Sequence, residues 1–116
     1  MDDLQQLLIA SGVVERITKD VMLYTNDIVD MQDKIQMMKE KGKEKHDIMK
    51  QEEILEETIQ MIPESQSRLE TAVLELSTIL DHFVSGDIPP GAEQQIEKSQ
   101  QILNEGMELL DSWSGS

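Results

Sequence analysis

Leu7 to Met38, LLIASGVVERITKDVMLYTNDIVDMQDKIQMM, is the stretch that decides the fold. Mostly apolar side chains recur in it at alternating steps of three and four residues, without a slip. This spacing is typical of a helix that packs along another helix at a shallow angle. The positions are Leu7, Ala10, Val14, Ile17, Val21, Tyr24, Ile28, Met31, Ile35 and Met38. We therefore predict a first helix over about residues 3–40, with Gly12 as a weak interruption.

The segment KEKGKEKHD (39–47) breaks this pattern. Gly42 is suited to end a helix, and Asp47 is suited to cap the start of the next one. A second stripe with the same spacing follows and has two polar interruptions, at Glu52 and Gln66. Its positions are Ile48, Glu52, Leu55, Ile59, Ile62, Gln66, Leu69, Val73, Leu76, Leu80 and Phe83. It predicts a second helix over about residues 47–84.

Pro63 lies in the middle of this second stripe, in QMIPES (60–65). A proline inside a helix removes one backbone hydrogen bond, at a cost of about 3 kcal/mol. The apolar positions before Pro63 nevertheless stay in phase with those after it, whereas a loop would usually reset the phase. We expect one continuous helix that is kinked where Pro63 leaves the carbonyl of Ile59 without its donor.

SGDIPPG (85–91) is the strongest break in the chain, and a weaker stripe after it predicts a third helix over about residues 90–112. Short connections then give an all-α, antiparallel up-down-up three-helix bundle with coiled-coil-like packing, as a single domain over residues 1–116. The third helix is too short to reach the first hairpin. We therefore expect the apolar positions near that hairpin to be covered on fewer sides; they are Met31, Ile35, Met38, Ile48 and Met49.

Antiparallel pairing across the first hairpin places residue n of the first helix near residue 86 − n of the second. Tyr24 is then the neighbour of Pro63. Counting back from the second break, residue n of the third helix lies level with residue 173 − n of the second. Trp113 then lies level with about residue 60, so Tyr24 and Trp113 are expected to bracket the kink.

Composition excludes several functional classes. The net charge is −14, which argues against nucleic-acid binding because that requires a basic surface to neutralise phosphates. The chain contains no cysteine, which excludes disulfides, thiolate zinc sites and a cysteine nucleophile. The acidic N-terminus has only a short apolar run, so we expect neither a signal peptide nor a membrane span.

No residue pattern indicates catalysis. His46 and His82 have no partner at metal-ligand spacing, and the pairs Glu52-Glu53 and Glu56-Glu57 lack the pocket that acid–base chemistry would require. The six lysines between Lys34 and Lys50 are diluted by carboxylates and are interpreted first as a solvated loop. The methionines are expected mostly in or beside the core, although a methionine-rich surface can also adapt to a partner. The residues alone therefore predict a helical interaction module that is not an enzyme and holds no cofactor or metal.

The segment KQEEILEETIQMIPESQSRLETAVLEL (50–76) resembles the second helix of the tubulin-binding cofactor A family. Family residues match at Lys50-Gln51, Ile54-Leu55, Glu57, Met61-Ile62-Pro63 and Arg68-Leu69-Glu70. The first helix is similar too, through Gly12, Val13, Val14, Arg16 and Tyr24 in SGVVERITKDVMLY (11–24), and Gly42 and Asp47 fit the family's hairpin. Departures are mild: Thr58, Gln60 and Glu64 stand where the family usually has Ser, Met and Asp. The similarity covers about residues 9–83, and the third helix does not share it in detail.

The resemblance implies a chaperone that captures quasi-native β-tubulin after chaperonin release and passes it on towards heterodimer assembly. It implies other tubulin-folding cofactors as further partners, no cofactor of its own, and a cytoplasmic location, with association with microtubules left open. Helix faces would form the grip, and no motif specifies which face. We predict as partner-binding residues Gln51, Glu53, Glu56, Glu57, Met61, Glu64 and Arg68. The predicted structural residues are Gly12, Tyr24, Gly42, Asp47, Pro63 and Trp113.

Two alternatives stay open at this point. A structural or trafficking three-helix module with no role in tubulin folding would show the same periodicity. The chain is compatible with either a monomer or a homodimer, because under-covered helices near the first hairpin could pair two copies.

Overall fold

Three α-helices make up the structure, a computed structural model that describes residues 2–86 and 88–114, with side chains at all of these except 84, 85 and 114. Helix α1 runs Asp3–Glu40, α2 runs Lys45–Ser85 and α3 runs Glu93–Ser114. The fold is therefore all-α, with three helices packed against one another, as predicted. The chain divides into two compact units, which we call the bundle unit (residues 1–19 and 66–116) and the hairpin unit (residues 20–65). The expectation of a single domain stays a prediction.

The bundle unit contains parts of all three helices and holds the main hydrophobic core. Its fully buried side chains include Leu7 and Val14 of α1 and Leu69 and Leu76 of α2. Helix α3 contributes Ile102 and Leu103, and Leu110 and Trp113 pack against the cluster while half-buried. Apolar burial of this kind stabilises a fold by about 25 cal/mol per Å². This buried cluster therefore accounts for most of the free energy that favours packing of the helices.

Contacts within the bundle unit fix the direction of each helix. His82 Nε2 lies 3.5 Å from Asp3 Oδ2, so the start of α1 meets the end of α2. This pair agrees with the predicted 86 − n register to within one residue. Ser11 of α1 is hydrogen-bonded to Ser99 of α3, and further along both helices a Cβ on Gly106 would lie 3.1 Å from Val14 Cγ1, so the contacts advance in the same direction along α1 and α3. Helix α3 is therefore parallel to α1 and antiparallel to α2, which is the up-down-up order.

The predicted register of α3 is wrong by about one helical turn. It placed Gly106 level with residue 67, whereas a Cβ on Gly106 would lie 3.1 Å from Val73 Cγ2 and 3.8 Å from Leu69 Cδ1. The cause is a later helix start, at Glu93 rather than residue 90. A turn intervenes, in which Ala92 N donates to Pro89 O over 3.1 Å and Gly91 has φ 83°. Proline followed by a positive-φ glycine is the pattern of a type II turn, so Pro90 and Gly91 belong to the turn and not to the helix.

At the first hairpin the prediction for Gly42 is confirmed. Its φ is 68°, its N–H donates to Lys39 O, and the N–H of Lys43 donates to Met38 O. This pair of bonds is the Schellman motif, which satisfies carbonyls left over at a helix C-terminus and favours glycine in the left-handed position. Gly42 therefore ends α1 as expected.

The prediction of Asp47 as the N-cap of α2 is wrong. Helix α2 begins at Lys45, and the carbonyl of Glu44 accepts the first helical hydrogen bond, from Ile48 N. Glu44 therefore occupies the cap position and Asp47 lies inside the first turn. A carboxylate is favourable there as well, since the N-terminal end of a helix carries partial positive charge.

Burial follows the predicted stripes closely. All ten positions of the α1 stripe are buried or half-buried. The same holds for the third stripe, which consists of Ala92, Ile96, Ser99, Leu103, Gly106, Leu110 and Trp113. In α2 the exceptions are Glu52 and Ile59, which are exposed. Near the first hairpin, Met31, Met38 and Ile48 are only half-buried and Met49 is exposed, as expected, but Ile35 is 6% exposed and contradicts the expectation of thin cover. Ile35 continues the α1 stripe, and its position on the inward face is enough to bury it.

Pro63 lies inside α2, which continues through it without a break. The prediction of one continuous helix is confirmed, while the kink stays a prediction. Tyr24, of the hairpin unit, is half-buried, and Trp113 is half-buried against the core of the bundle unit. Their placement on either side of a bend also stays a prediction. Gly12 lies within α1 as expected.

Candidate partner-binding surface

Six of the seven predicted partner-binding residues lie in the hairpin unit, on α2. The seventh, Arg68, lies on α2 in the bundle unit. There it lines an open groove with Val13 and Ile17 of α1 and Ala72 of α2. The predicted partner-binding surface therefore lies mainly in the hairpin unit.

Four of the predicted residues share one side of α2. Successive residues of an α-helix are about 100° apart, which places Glu53, Glu57 and Glu64 within about 40° of one another. Met61 lies about 40° beyond Glu57, on the side nearer the inward face. All four are exposed, Met61 to 39%. We call these four residues the α2 outer stripe.

Gln51 and Glu56 do not belong to the α2 outer stripe. Gln51 is half-buried and in phase with Leu55 and Ile62, on the face that turns towards α1. Glu56 is exposed but lies on the far side of Glu53, about 140° from Met61 around the helix axis. The predicted site is thus brought together in part, around the three glutamates and Met61.

The charge of this surface is one-sided. Residues 51–65 contain five glutamates and no lysine or arginine. A segment with basic side chains would be attracted to it, and an acidic one would be repelled. The surface contributes fixed negative charge and apolar contact, with no nucleophile or acid–base pair.

Exposed apolar side chains are concentrated in the hairpin unit. Of thirteen large hydrophobic residues exposed in the described chain, eight lie between residues 20 and 65. They are Met22, Leu23, Val29, Met37, Met49, Ile54, Ile59 and Met61. Only Met61 was among the predicted partner-binding residues. Most of the others fall outside the stripes of three-and-four spacing. Their exposure could have been predicted from the sequence, because each is an apolar residue out of phase with the stripe of its helix.

The methionines differ from the prediction. Met22, Met37, Met49 and Met61 are exposed, with Met22 at 58%, and only Met31 and Met38 of this group are half-buried. The expectation of core or core-edge positions is therefore wrong for most of them. Each exposed methionine lies away from the inward face of its helix. Methionine is unbranched and polarizable, which lets such a surface adjust to a partner of irregular shape.

The bundle unit has an apolar feature of its own. An open groove of about 580 Å³ runs between α1 and α2 and is lined by Gln6, Ile9, Ala10, Val13, Glu75, Thr78 and Ile79. It is separate from the α2 outer stripe. Its lining is largely aliphatic and has no set of groups suited to catalysis.

No residue group in the described part of the chain is suited to bind a metal, since no three His, Asp or Glu side chains converge. Within residues 2–86 and 88–114, no helix combines the length and apolarity needed to span a bilayer. What the surface can do chemically is to hold a protein segment by apolar contact and charge.

The tubulin binding cofactor A family model matches residues 2–103. This extends beyond the 9–83 expected from the residues alone and includes the first part of α3. Human tubulin-specific chaperone A is 35% identical over 108 residues, which cover 93% of this chain and 90% of the human protein. Tubulin-folding cofactor A of Arabidopsis thaliana is 31% identical over 93 residues, which cover 80% and 82%.

Two solved structures have the same fold as this chain. The crystal structure of tubulin folding cofactor A from Arabidopsis thaliana superposes with a TM-score of 0.78 at 26% identity, covering 91% of this chain and 96% of that one. The human tubulin chaperone cofactor A structure gives a TM-score of 0.67 at 32% identity, covering 89% and 96%. The family is one of non-enzymatic tubulin chaperones, which agrees with the expectation of no catalysis. The alternative of a three-helix module unrelated to tubulin is set aside, because the chain belongs to the tubulin-binding cofactor A family.

Proposed function

We propose that this chain captures quasi-native β-tubulin after its release from the chaperonin, holds it against aggregation and passes it on towards heterodimer assembly. The observation that carries the proposal is the family match over residues 2–103. Its relatives in human and in Arabidopsis thaliana are named as a tubulin-specific chaperone and a tubulin-folding cofactor. The general function, that of a tubulin folding cofactor, follows from membership of the family.

The hairpin unit is the part proposed to grip β-tubulin. A folding intermediate exposes apolar surface, and a holding protein has to offer apolar surface in return. The hairpin unit offers it in Met22, Val29, Ile54 and Met61, which are between 39% and 58% exposed. These side chains lie on a two-helix framework whose inward positions, such as Val21 and Ile35, are buried. The binding side chains are thus held in place by a framework formed before the partner arrives.

The α2 outer stripe is proposed to orient the partner. Its three glutamates lie to one side of Met61, so an amphipathic segment of β-tubulin could place an apolar side chain against Met61 and basic side chains against the carboxylates. Exposed charge pairs add little affinity, but they accelerate association and disfavour wrong orientations. The acidic stripe would thus act on the rate and the orientation of capture, and the apolar residues on its strength.

Pro63 is proposed to bend α2 at the edge of this grip. A proline at this position leaves the carbonyl of Ile59 without its helical donor, and proline is among the few causes of sharp kinks, of more than about 20°, in helices. Pro63 is exposed and lies next to Ile62, which is half-buried. The bend would let α2 keep its apolar side turned inward where three-helix cover changes to two.

Other tubulin-folding cofactors are proposed as the proteins that receive β-tubulin from this chain. A tubulin chaperone works in the cytoplasm, and association with microtubules would follow from its binding partner. Both a monomer and a homodimer are compatible with the proposal, and sedimentation equilibrium distinguishes them.

Capture of β-tubulin is the direct test. The purified chain would be mixed with labelled β-tubulin released from chaperonin and separated by size-exclusion chromatography. A complex that elutes ahead of the free chain supports the proposal. The proposal would be contradicted if the released β-tubulin stays unbound, or if it aggregates at the same rate with and without the chain.

A further inference from the structure

The tip of the hairpin unit has the opposite charge from the rest of the molecule. Residues 34–50, which we call the basic tip, contain six lysines and three acidic residues, so their net charge is +3. Because the whole chain carries −14, all other residues together carry −17. The lysines are Lys34, Lys39, Lys41, Lys43, Lys45 and Lys50, and all six are exposed. Within the hairpin unit, the lysines are confined to the basic tip.

The lysines of the basic tip are not neutralised from within the chain. Among the described residues, no ion pair involves any of the six. Lys19, elsewhere on α1, differs in having Glu15 Oε1 at 4.0 Å. One carboxylate inside the basic tip, that of Glu40, accepts a hydrogen bond from Gln36 Nε2 over 3.3 Å instead of pairing with a lysine. The positive charge therefore remains available to a partner.

Helix stability does not account for the whole cluster. Cations are favourable at the C-terminal end of a helix and unfavourable at its N-terminal end. Lys39 lies in the last turn of α1, where a positive charge stabilises the helix. Lys45 is the first residue of α2, where the helix dipole opposes a positive charge. An unfavourable placement of this kind is expected where the charge acts on another molecule.

We propose that the basic tip is a second interaction surface, one that binds an acidic peptide segment of a partner protein. The charge of the remaining chain decides the kind of partner. An extended polyanion, such as a nucleic acid or an anionic membrane, would also face the −9 carried by residues 20–33 and 51–65 of the hairpin unit and would be repelled. A short acidic segment meets only the tip, since charges farther away than about 8 Å are largely screened at physiological salt.

The arrangement of the tip suits such a segment. Lys41 and Lys43 flank Gly42 in the sequence, and the φ of 68° at Gly42 lets the chain turn between α1 and α2. Lys45 follows at the start of α2, so three exposed lysines lie within five residues at the turn. This surface does not include the α2 outer stripe, which is acidic, and the proposal stands without the assignment of β-tubulin as the captured protein.

The test uses the full chain and a fluorescein-labelled peptide of eight glutamates, with eight glutamines as the neutral peptide. Fluorescence anisotropy at about 150 mM salt, where the Debye length is about 8 Å, is expected to show binding of the acidic peptide only. Binding should weaken steeply as salt is raised. The variant K41E/K43E should bind at least about tenfold more weakly, because attraction is replaced by repulsion at two loop positions.

The matched control is K19E/K98E, which changes the net charge by the same amount at exposed positions outside the tip. It should bind the peptide nearly as well as the unaltered chain. Equal weakening in both variants would show an effect of net charge alone and would overturn the proposal, as would the absence of binding. Tighter binding to a single-stranded RNA or to vesicles containing anionic lipid than to the peptide would overturn the choice of an acidic peptide. Circular dichroism checks that both variants keep the helical fold.

Discussion

Ser11 Oγ and Ser99 Oγ lie 2.6 Å apart in the interior of the bundle unit, and this hydrogen bond joins α1 to α3. Ser11 is 3% exposed and Ser99 is fully buried. Gln95 Nε2 also donates to Ser99 Oγ, over 3.0 Å. A buried hydroxyl costs free energy unless it is hydrogen-bonded, so the pair favours one docking position of α3 over neighbouring ones.

Replacing Ser99 by alanine should lower the free energy of unfolding by about 1–3 kcal/mol, because both Ser11 and Gln95 lose their partner. Ser11→Ala should cost less, since Ser99 keeps its bond from Gln95. Urea denaturation measures both. Ser67→Ala, at an exposed helical position, corrects for the higher helix propensity of alanine. A Ser99→Ala protein as stable as the unaltered chain would show that the pair contributes nothing.

Gly106 marks the closest approach of α3 to its neighbours. A Cβ there would lie 3.1 Å from both Val14 Cγ1 and Val73 Cγ2, whereas one on Gly12 would meet nothing within 4 Å. Gly106→Leu should therefore lower the free energy of unfolding by at least about 1–3 kcal/mol through overpacking. Gly12→Leu should be neutral or stabilising, because glycine is unfavourable inside a helix. Thermal and urea denaturation compare the two. Equal effects would mean that α3 does not approach α1 and α2 as described.

Much of the fold could be predicted because burial in a helix follows its periodicity. Leu7, Val14 and Val21 are seven residues apart and all three are buried. Helix ends were harder to predict, since a side chain that suits the N-cap also suits the first turn. Asp47, predicted as a cap, occupies the first turn. The start of α3 depended on whether Pro90 and Gly91 open a helix or close a turn, and both are common sequence patterns.

The candidate site was less predictable, because a surface that binds by apolar contact has no chemical motif of its own. Glu53, Glu57 and Glu64 could be placed on one side of α2 from helical spacing alone. Whether Met22 and Ile54 are exposed depends on which neighbouring elements cover them, and that is a property of the packed chain. Their exposure, 58% for Met22 and 44% for Ile54, could be established only from the structure.

Pro63→Ala is expected to straighten α2. Alanine restores the hydrogen bond to the carbonyl of Ile59, which favours a straight helix by up to about 3 kcal/mol. If the bend fits the packing of the chain, the substitution should nevertheless lower the free energy of unfolding. Crystal structures of both proteins give the angle between the axes of residues 47–59 and 67–80, and urea denaturation gives the stability. Gln60→Ala, at an exposed neighbouring position, should change neither. An unchanged axis with no loss of stability would refute the kink.

Charge reversal at Glu53→Lys/Glu57→Lys should slow the association of the chain with β-tubulin by about tenfold at low salt, with a smaller effect at high salt. Stopped-flow fluorescence with labelled β-tubulin measures the rate. Glu105→Lys/Glu108→Lys makes the same change of net charge at exposed positions on α3 and should have little effect. Equal slowing by the two variants would show that net charge, and not the α2 outer stripe, controls association.

The most direct test of the hairpin unit as the grip is the affinity for β-tubulin of two variants that each remove two exposed apolar side chains. Ile54→Ser/Met61→Ser alters the hairpin unit, and Leu8→Ser/Leu74→Ser alters the bundle unit at positions that are 47% and 70% exposed. Burial of a large apolar side chain contributes roughly 1.5 kcal/mol or more, so the first variant should bind at least about tenfold more weakly. The second should bind like the unaltered chain. Equal affinities for the two variants, or a greater loss in the second, would contradict the assignment of the grip to the hairpin unit.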